Sequence, residues 1–180
     1  MKIDFIEEFK IGENIKAELA GLLALCFSET AYRGRTFFKQ LPHYRLILTD
    51  DNKVIGQLAI DYRVMNLNGE MVRVFGVIDL AIHPTRQGEG LGTKLMQELE
   101  KISSANQNNI DFLFLVTDKP AYYERLGYKK TRQKVAWLRI NQGKNHGLTT
   151  EEVNDCDLMF KEVSGRKWID GELDMLGYWY

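Results

Sequence analysis

The stretch VIDLAIHPTRQGEGLGTKLMQELE, Val77 to Glu100, changes character twice. An apolar run closes at Pro84, as a strand would. Three glycines follow, Gly88, Gly90 and Gly92. Then Leu91, Leu95, Met96 and Leu99 recur at helical spacing. The pattern predicts strand, tight turn, helix. Glycines in such a turn permit positive φ and close backbone approach. The helix that follows starts with unpartnered N–H groups and the positive end of its dipole, so the turn is suited to an anion. Two common phosphate loops are excluded by spacing. The dinucleotide fingerprint G-x-G-x-x-G is absent, because the glycines run G-x-G-x-G. The triphosphate loop fails because Thr93 separates Gly92 from Lys94.

Downstream, IDFLFLVT (110–117) is a continuous apolar run, the mark of a strand buried on both faces. Strand, helix, strand makes a βαβ crossover, so these two strands should be parallel neighbours. KPAYYERLG (119–127) reads as a short helix, with Pro120 at its start and Gly127 at its end. Upstream, KIDFIEEF is a first strand, and GENIKAELAGLLALCFSE a helix through Ile15, Leu19, Leu22, Leu23 and Cys26. ETAYRGRTFFKQL suggests a second, shorter helix. YRLILTD and KVIGQLAIDYRVM form a hairpin, and LNGE turns into the long strand that Pro84 closes. KVAWLRI and CDLMFKEV are later strands. NQGKNHGLTTEEVND between them reads as a polar loop, and WIDGELDMLGYWY as a short, acidic, aromatic tail. The expected fold is α/β (α+β): a mixed, mostly antiparallel sheet of six to seven strands, with one central parallel pair and helices on both faces.

With 180 residues, one domain spanning 1–180 is expected. Hydrophobic residues at 44% and charged residues at 27% suit a globular chain, and a net charge of −1 argues against a nucleic-acid partner. The charge is uneven: from Glu151 onward eight acids face three bases. Cys26 and Cys156 form no C-x-x-C pair, and His43, His83 and His146 form no metal constellation, so no metal is expected. The N-terminus lacks a secretory pattern and no apolar run is long enough to span a membrane; a cytoplasmic protein is expected, as monomer or homodimer.

The turn also carries Q-x-x-G-x-G at Gln87, Gly90 and Gly92. At these residues the chain resembles the GCN5-related N-acetyltransferase (GNAT) superfamily, whose turn of this form holds the pyrophosphate of acetyl-coenzyme A. KPAYYERLGY, one helix and one buried strand downstream, is similar to the family's second characteristic segment. The resemblance implies that the central parallel strands splay and that the pantetheine arm lies along Leu80, Ala81 and Ile82. It implies that backbone groups of Gln87, Gly88, Glu89, Gly90, Leu91, Gly92 and Thr93 hold the phosphates, with Arg86 and Lys94 as further charges. The acyl-coenzyme A core would span about 72–130, and acceptor-side elements 28–42 and 165–180.

Acetyl transfer to an amine needs a neutral amine, a stabilised oxyanion and a protonated leaving thiolate. By the resemblance Tyr123 is the general acid toward the coenzyme A sulfur, a task that suits a phenol at neutral pH. Asp79 lies between apolar residues in its strand, where a carboxylate is either paired, solvated or at work; the resemblance makes it the base. His83, beside Pro84, reads as a turn histidine.

The layout and aromatic C-terminus are similar, more loosely, to the aminoglycoside 2'-N-acetyltransferase branch and the nodulation acyltransferases. That implies a small-molecule amine acceptor met by Asp174, Trp179, Tyr180 and Tyr32. Arg33 and Arg35 would repel a polycation. An acyl-coenzyme A-binding sensor without transfer activity and a longer-chain N-acyltransferase stay open as alternatives.

Overall fold

The computed structural model describes residues 1–27, 32–153 and 156–180. They fall into two compact units. The first comprises Met1–Asp61 and Ile78–Lys101, the second Tyr62–Val77 and Ile102–Tyr180.

In the first unit β1 (Lys2–Glu7) pairs antiparallel with β2 (Tyr44–Asp50), from Lys2↔Thr49 to Glu7↔Tyr44. β2 in turn pairs antiparallel with β3 (Lys53–Leu67). The hairpin between them turns at Asp51 and Asn52, both at positive φ, the handedness that matches strand twist. Helix α1 (Glu13–Cys26) buries Leu19, Leu22 and Leu23, which pack with Ile11, Tyr32, Ile47, Val54 and Ala81. Of the expected second helix, residues 28–31 lie outside the described residues; Tyr32 is helical, and turns and bends follow from Arg33 to Gln40, with Arg33 and Gly34 at positive φ. The unit ends with the last part of β4 (Glu70–Ile82) and most of α2 (Leu91–Ala105). The apolar positions read from the sequence, Leu91, Leu95, Met96 and Leu99, are all buried. Burying each is worth about 1.5–3 kcal/mol.

The second unit is strand-rich. Its order is β6 (Lys129–Thr131), β9 (Asp157–Glu162), β5 (Phe112–Thr117), β4, β3, β10 (Gly171–Tyr178), β7 (Gln133–Asn141), β8 (Lys144–Glu152). β4 and β5 run parallel as expected, from Val74↔Phe112 to Gly76↔Phe114. The register stops there although both strands continue. The core of this unit joins Met65, Val72, Val74, Phe112, Phe114, Phe160, Leu173 and Met175 around Trp168. The Trp168 ring stacks on Phe160 at 4.8 Å and meets Phe112 edge-on at 5.0 Å, and its indole N–H donates to Thr131 Oγ1 at 2.7 Å.

The α+β class holds, but the described residues make ten strands, not six or seven. The polar segment expected to be a loop is β8, an edge strand paired with β7 on either side of a register shift. None of its residues is buried, so no alternation betrays it. The aromatic tail is β10, with Leu173 and Met175 buried at alternate positions. β10 runs parallel to β7, a second parallel pair that the sequence reading lacked. Among the described residues no helix is long and apolar enough to cross a membrane.

Candidate active site

In the first unit, β4 ends at Ile82 and a short 3-10 turn, Pro84–Arg86, leads into the glycines. His83 caps that turn: its Nδ1 lies 2.9 Å from Thr85 Oγ1, and its backbone N–H donates to Ile55 O at 2.9 Å. Gly88 and Gly90 take φ of +85° and +75°, and a Cβ at either would meet nothing within 4 Å, so the turn faces open space. The ladder of α2 opens where Lys94 N–H donates to Gly90 O at 3.1 Å. The N–H groups of Leu91, Gly92 and Thr93 therefore have no intrahelical acceptor. The Gln87 side chain donates to Ile82 O at 3.1 Å, which ties the turn back to the strand.

Arg86, read from the sequence as a further charge at the turn, is held by two carboxylates. Its guanidinium pairs with Glu89 at 2.7 Å and with Asp50 at 3.0 Å. These partners hold its proton more firmly than in a free arginine, and Arg86 in turn holds the Glu89 carboxyl below its usual range. It neutralises an acid that would otherwise repel a phosphate at the turn. Lys94 is exposed in the first turn of α2.

Leu80, Ala81 and Ile82 form the end of β4. Ala81 is buried, and Ile82 O accepts from Cys26 Sγ as well as from Gln87. The strand packs hard on β3: a Cβ on Gly56 would lie 2.7 Å from Ile82 Cδ1 and 3.3 Å from Ala81 O.

Asp79 sits at φ +52°, a left-handed break inside a strand. Its backbone oxygen accepts from the Gln57 side-chain amide. Its carboxylate accepts from the Tyr32 hydroxyl. Burial pushes the Asp79 carboxyl above the usual carboxylate range, against the opposing pull of Tyr32, Arg45 and Lys39. Two sequence-chosen residues, Tyr32 and Asp79, are thus brought together. Tyr32 is only 3% exposed, so its ring is a wall residue packed on Phe27 and Phe38.

Sequence reading missed the polar side chains behind Asp79. Arg45 and Gln57 are fully buried. Arg45 Nη1 donates to Gln57 Oε1 at 2.8 Å, Nε to Glu8 Oε2 at 2.6 Å and Nη2 to Thr36 O at 2.6 Å. The available signal was Arg45 at the head of the apolar run LIL and Gln57 inside VIGQLAI.

In the second unit Tyr123 lies on the single-turn helix α3 (Pro120–Glu124), edge-on to Tyr122 at 4.9 Å and to Tyr128 at 5.8 Å. Burial first, then repulsion between the Tyr123 phenolate and Tyr122 or Asp118 once ionised, push its hydroxyl well above the usual phenol range. It is a protonated donor at neutral pH. Tyr180 lies over Gly76, where a Cβ would be 2.0 Å from its hydroxyl. Arg63 stacks on the rings of Tyr178 and Tyr180 at 4.4 and 4.6 Å and donates to Tyr178 O at 2.8 Å. Trp179 packs on Trp137 at 4.7 Å. Asp174 Oδ1 accepts from Leu176 N–H at 2.8 Å, at the point where β10 shifts register against β7. That bond holds a bulge.

Residues 11–131 match the acetyltransferase (GNAT) domain family. No curated protein matches the sequence. Among solved structures the chain is similar to a probable N-acyltransferase of Enterococcus faecalis, at TM-score 0.59 and 19% identity over 73% of this chain. It spans only 33% of that protein's length. It is similar to the GNAT-family YhbS of Escherichia coli in complex with coenzyme A, at TM-score 0.61 and 20% identity over 97% of this chain and 89% of that one. An aminoglycoside 6'-N-acetyltransferase complexed with coenzyme A gives TM-score 0.59 and 16% identity, over 93% and 99% of the two chains.

Proposed function

The chain belongs to the GNAT acetyltransferase family and is an acyltransferase, and we propose that it moves an acetyl group from acetyl-coenzyme A to a primary amine of a small molecule by direct transfer. The observation that carries the proposal is the turn from Gln87 to Thr93. It has positive-φ glycines open to solvent and the first N–H groups of α2, and Gln87 pins it to the end of β4. Such a turn fits a pyrophosphate with few side chains. The coenzyme A held by the YhbS and aminoglycoside 6'-N-acetyltransferase structures supports the same donor.

The roles follow from chemistry at each residue. Backbone groups of Leu80, Ala81 and Ile82 line the pantetheine arm. Asp79, buried and raised in proton affinity, takes a proton from the acceptor ammonium or from a water beside it. Tyr123 gives its proton to the departing thiolate. Tyr32, Asp174, Trp179 and Tyr180 are assigned to the acceptor side. The exposed Arg33 and Arg35 weigh against a polycationic acceptor.

Thiol release from acetyl-coenzyme A, measured against a panel of primary amines, tests the proposal. Tyr123→Phe should cut kcat about 100-fold or more while acetyl-coenzyme A still binds. An unchanged rate would remove Tyr123 from the mechanism. Tight binding with no turnover on any amine would favour a sensor instead. Preference for longer acyl chains in competition would favour the longer-chain N-acyltransferase.

A further inference from the structure

A non-glycine residue at φ +52° in mid-strand is strained unless its surroundings over-determine it. At Asp79 Tyr32 holds the carboxylate and one side chain, Gln57, holds the peptide. Gln57, on the neighbouring strand β3, donates its amide N–H to the Asp79 backbone oxygen. Its own oxygen is fixed in turn by Arg45 Nη1 at 2.8 Å. Arg45 is locked from the other side by Glu8, through Nε at 2.6 Å and Nη2 at 3.4 Å, and by Thr36 O. A fully buried arginine, a fully buried glutamine and a nearly buried glutamate thus form one line that ends on the peptide of Asp79. A buried guanidinium is costly unless every donor is placed, and a plain packing role would be met more cheaply by an apolar side chain. A buried polar network that is fully satisfied fixes one geometry.

We infer that Gln57, clamped by Arg45 and through it by Glu8, is the positioning residue that holds the break in β4 and aims the Asp79 carboxylate at the acceptor amine. The inference rests on Asp79 being the base. Gln57 itself touches no reacting atom: it fixes where the carboxylate stands. The charged and titratable groups facing that carboxylate are Tyr32 and Lys39 from the segment before β2, and Arg45 from β2. Gln57 is the neutral member.

Two variants separate the bonds. Gln57→Met keeps the volume and removes both. Gln57→Glu keeps an acceptor for Arg45, replaces the donor to Asp79 with a second acceptor oxygen and adds a negative charge beside it. Each is made alone and with Asp79→Asn. Acetyl transfer is read with the amine giving fastest thiol release in the panel, and the Asp79 side-chain carboxyl is titrated by carbon NMR in the free protein. Either variant alone should lower kcat tenfold or more with the KM for acetyl-coenzyme A within twofold. Neither should cost anything further in the Asp79→Asn background. In the Gln57→Met protein the Asp79 titration midpoint should move toward the ordinary carboxylate range as the carboxyl gains water. Should Gln57→Met not fold, the glutamate variant alone carries the kinetic test. Equal losses with and without Asp79→Asn, or an unchanged kcat and midpoint, overturn the positioning role. Wild-type transfer by Asp79→Asn removes the base assignment and this inference with it. Loss in Asp79→Asn with none in either Gln57 variant overturns the inference alone.

Discussion

Asp79 shows what one residue's environment decides. Its charged form is disfavoured by burial, and Tyr32 relieves part of that by donating to the carboxylate. Tyr32→Phe keeps the ring between Phe27 and Phe38 but withdraws the donor. The carboxyl should then hold its proton to higher pH, and the acid limb of kcat/KM should move upward; a limb that stays in place would show that another group sets it. The same burial makes a stability prediction of definite sign. A carboxyl raised in the fold binds protons better folded than unfolded. Its charged form therefore weakens the fold above the folded pKa, and the effect vanishes below the unfolded value of about 3.9. Asp79→Asn removes that charge, and asparagine tolerates positive φ. Its melting temperature should exceed wild type at pH 7 and match it below about pH 4, while transfer is lost. The sequence exposed Asp79 as a carboxylate among apolar residues. It could not expose the break in the strand, because the bonds that stabilise it come from Tyr32 and Gln57, far away along the chain.

At the scale of elements, legibility tracked burial pattern. α2 and β5 were plain in the sequence because one buries a 3.6-residue stripe and the other is buried almost throughout. β8 was invisible because it buries nothing. β10 was obscured because it alternates briefly and then bulges at Asp174. The hairpins extend the lesson. Asn68–Gly69 and Gln142–Gly143 both turn with two residues at positive φ, yet only the first has a second task. Asn68 Oδ1 accepts from Glu172 N–H at 2.7 Å, its amide donates to Ile169 O at 3.0 Å, and its backbone N–H donates to Glu172 O at 2.9 Å. It fastens the β3–β4 turn to the start of β10. Asn68→Gly keeps the turn geometry and loses the side-chain bonds, so it should cost about 1–2 kcal/mol in urea unfolding. Gln142→Gly, at the exposed turn of β7 and β8, should change stability by less than about 0.5 kcal/mol. Equal costs would mean that Asn68 serves only its turn.

For the molecule as a whole, the acid response includes two carboxyls shifted in opposite directions. Asp111, at the entrance to β5, is the counterpart of Asp79. Its carboxylate accepts from the Arg73 backbone N–H at 2.8 Å, from the Arg73 guanidinium at 3.0 and 3.1 Å, and from Ser164 Oγ at 3.0 Å. Burial pushes the carboxyl up, but these bonds outweigh it and hold the pKa below the usual range. The backbone of Asp111 also donates to Arg73 O and accepts from Val163, so one residue ties β4 and the end of β9 to β5. The Arg73 side chain is 40% exposed, so screening weakens the ion pair; the bonds from the peptide and Ser164 carry more of the effect. A carboxyl lowered in the fold stabilises it above the unfolded value of about 3.9, and that stabilisation is lost as pH falls through the folded pKa. Asp111→Asn should therefore cost about 1.5–3 kcal/mol at pH 7, and the gap from wild type should narrow on acidification toward pH 3. Asp79→Asn should move the other way at pH 7, because burial disfavours the charged form of its carboxyl. Urea unfolding of both variants at pH 7 and pH 3 checks the pair. If both proved destabilising at pH 7 by similar amounts, the buried carboxyl of Asp79 would belong, like that of Asp111, to the structure and not to the reaction.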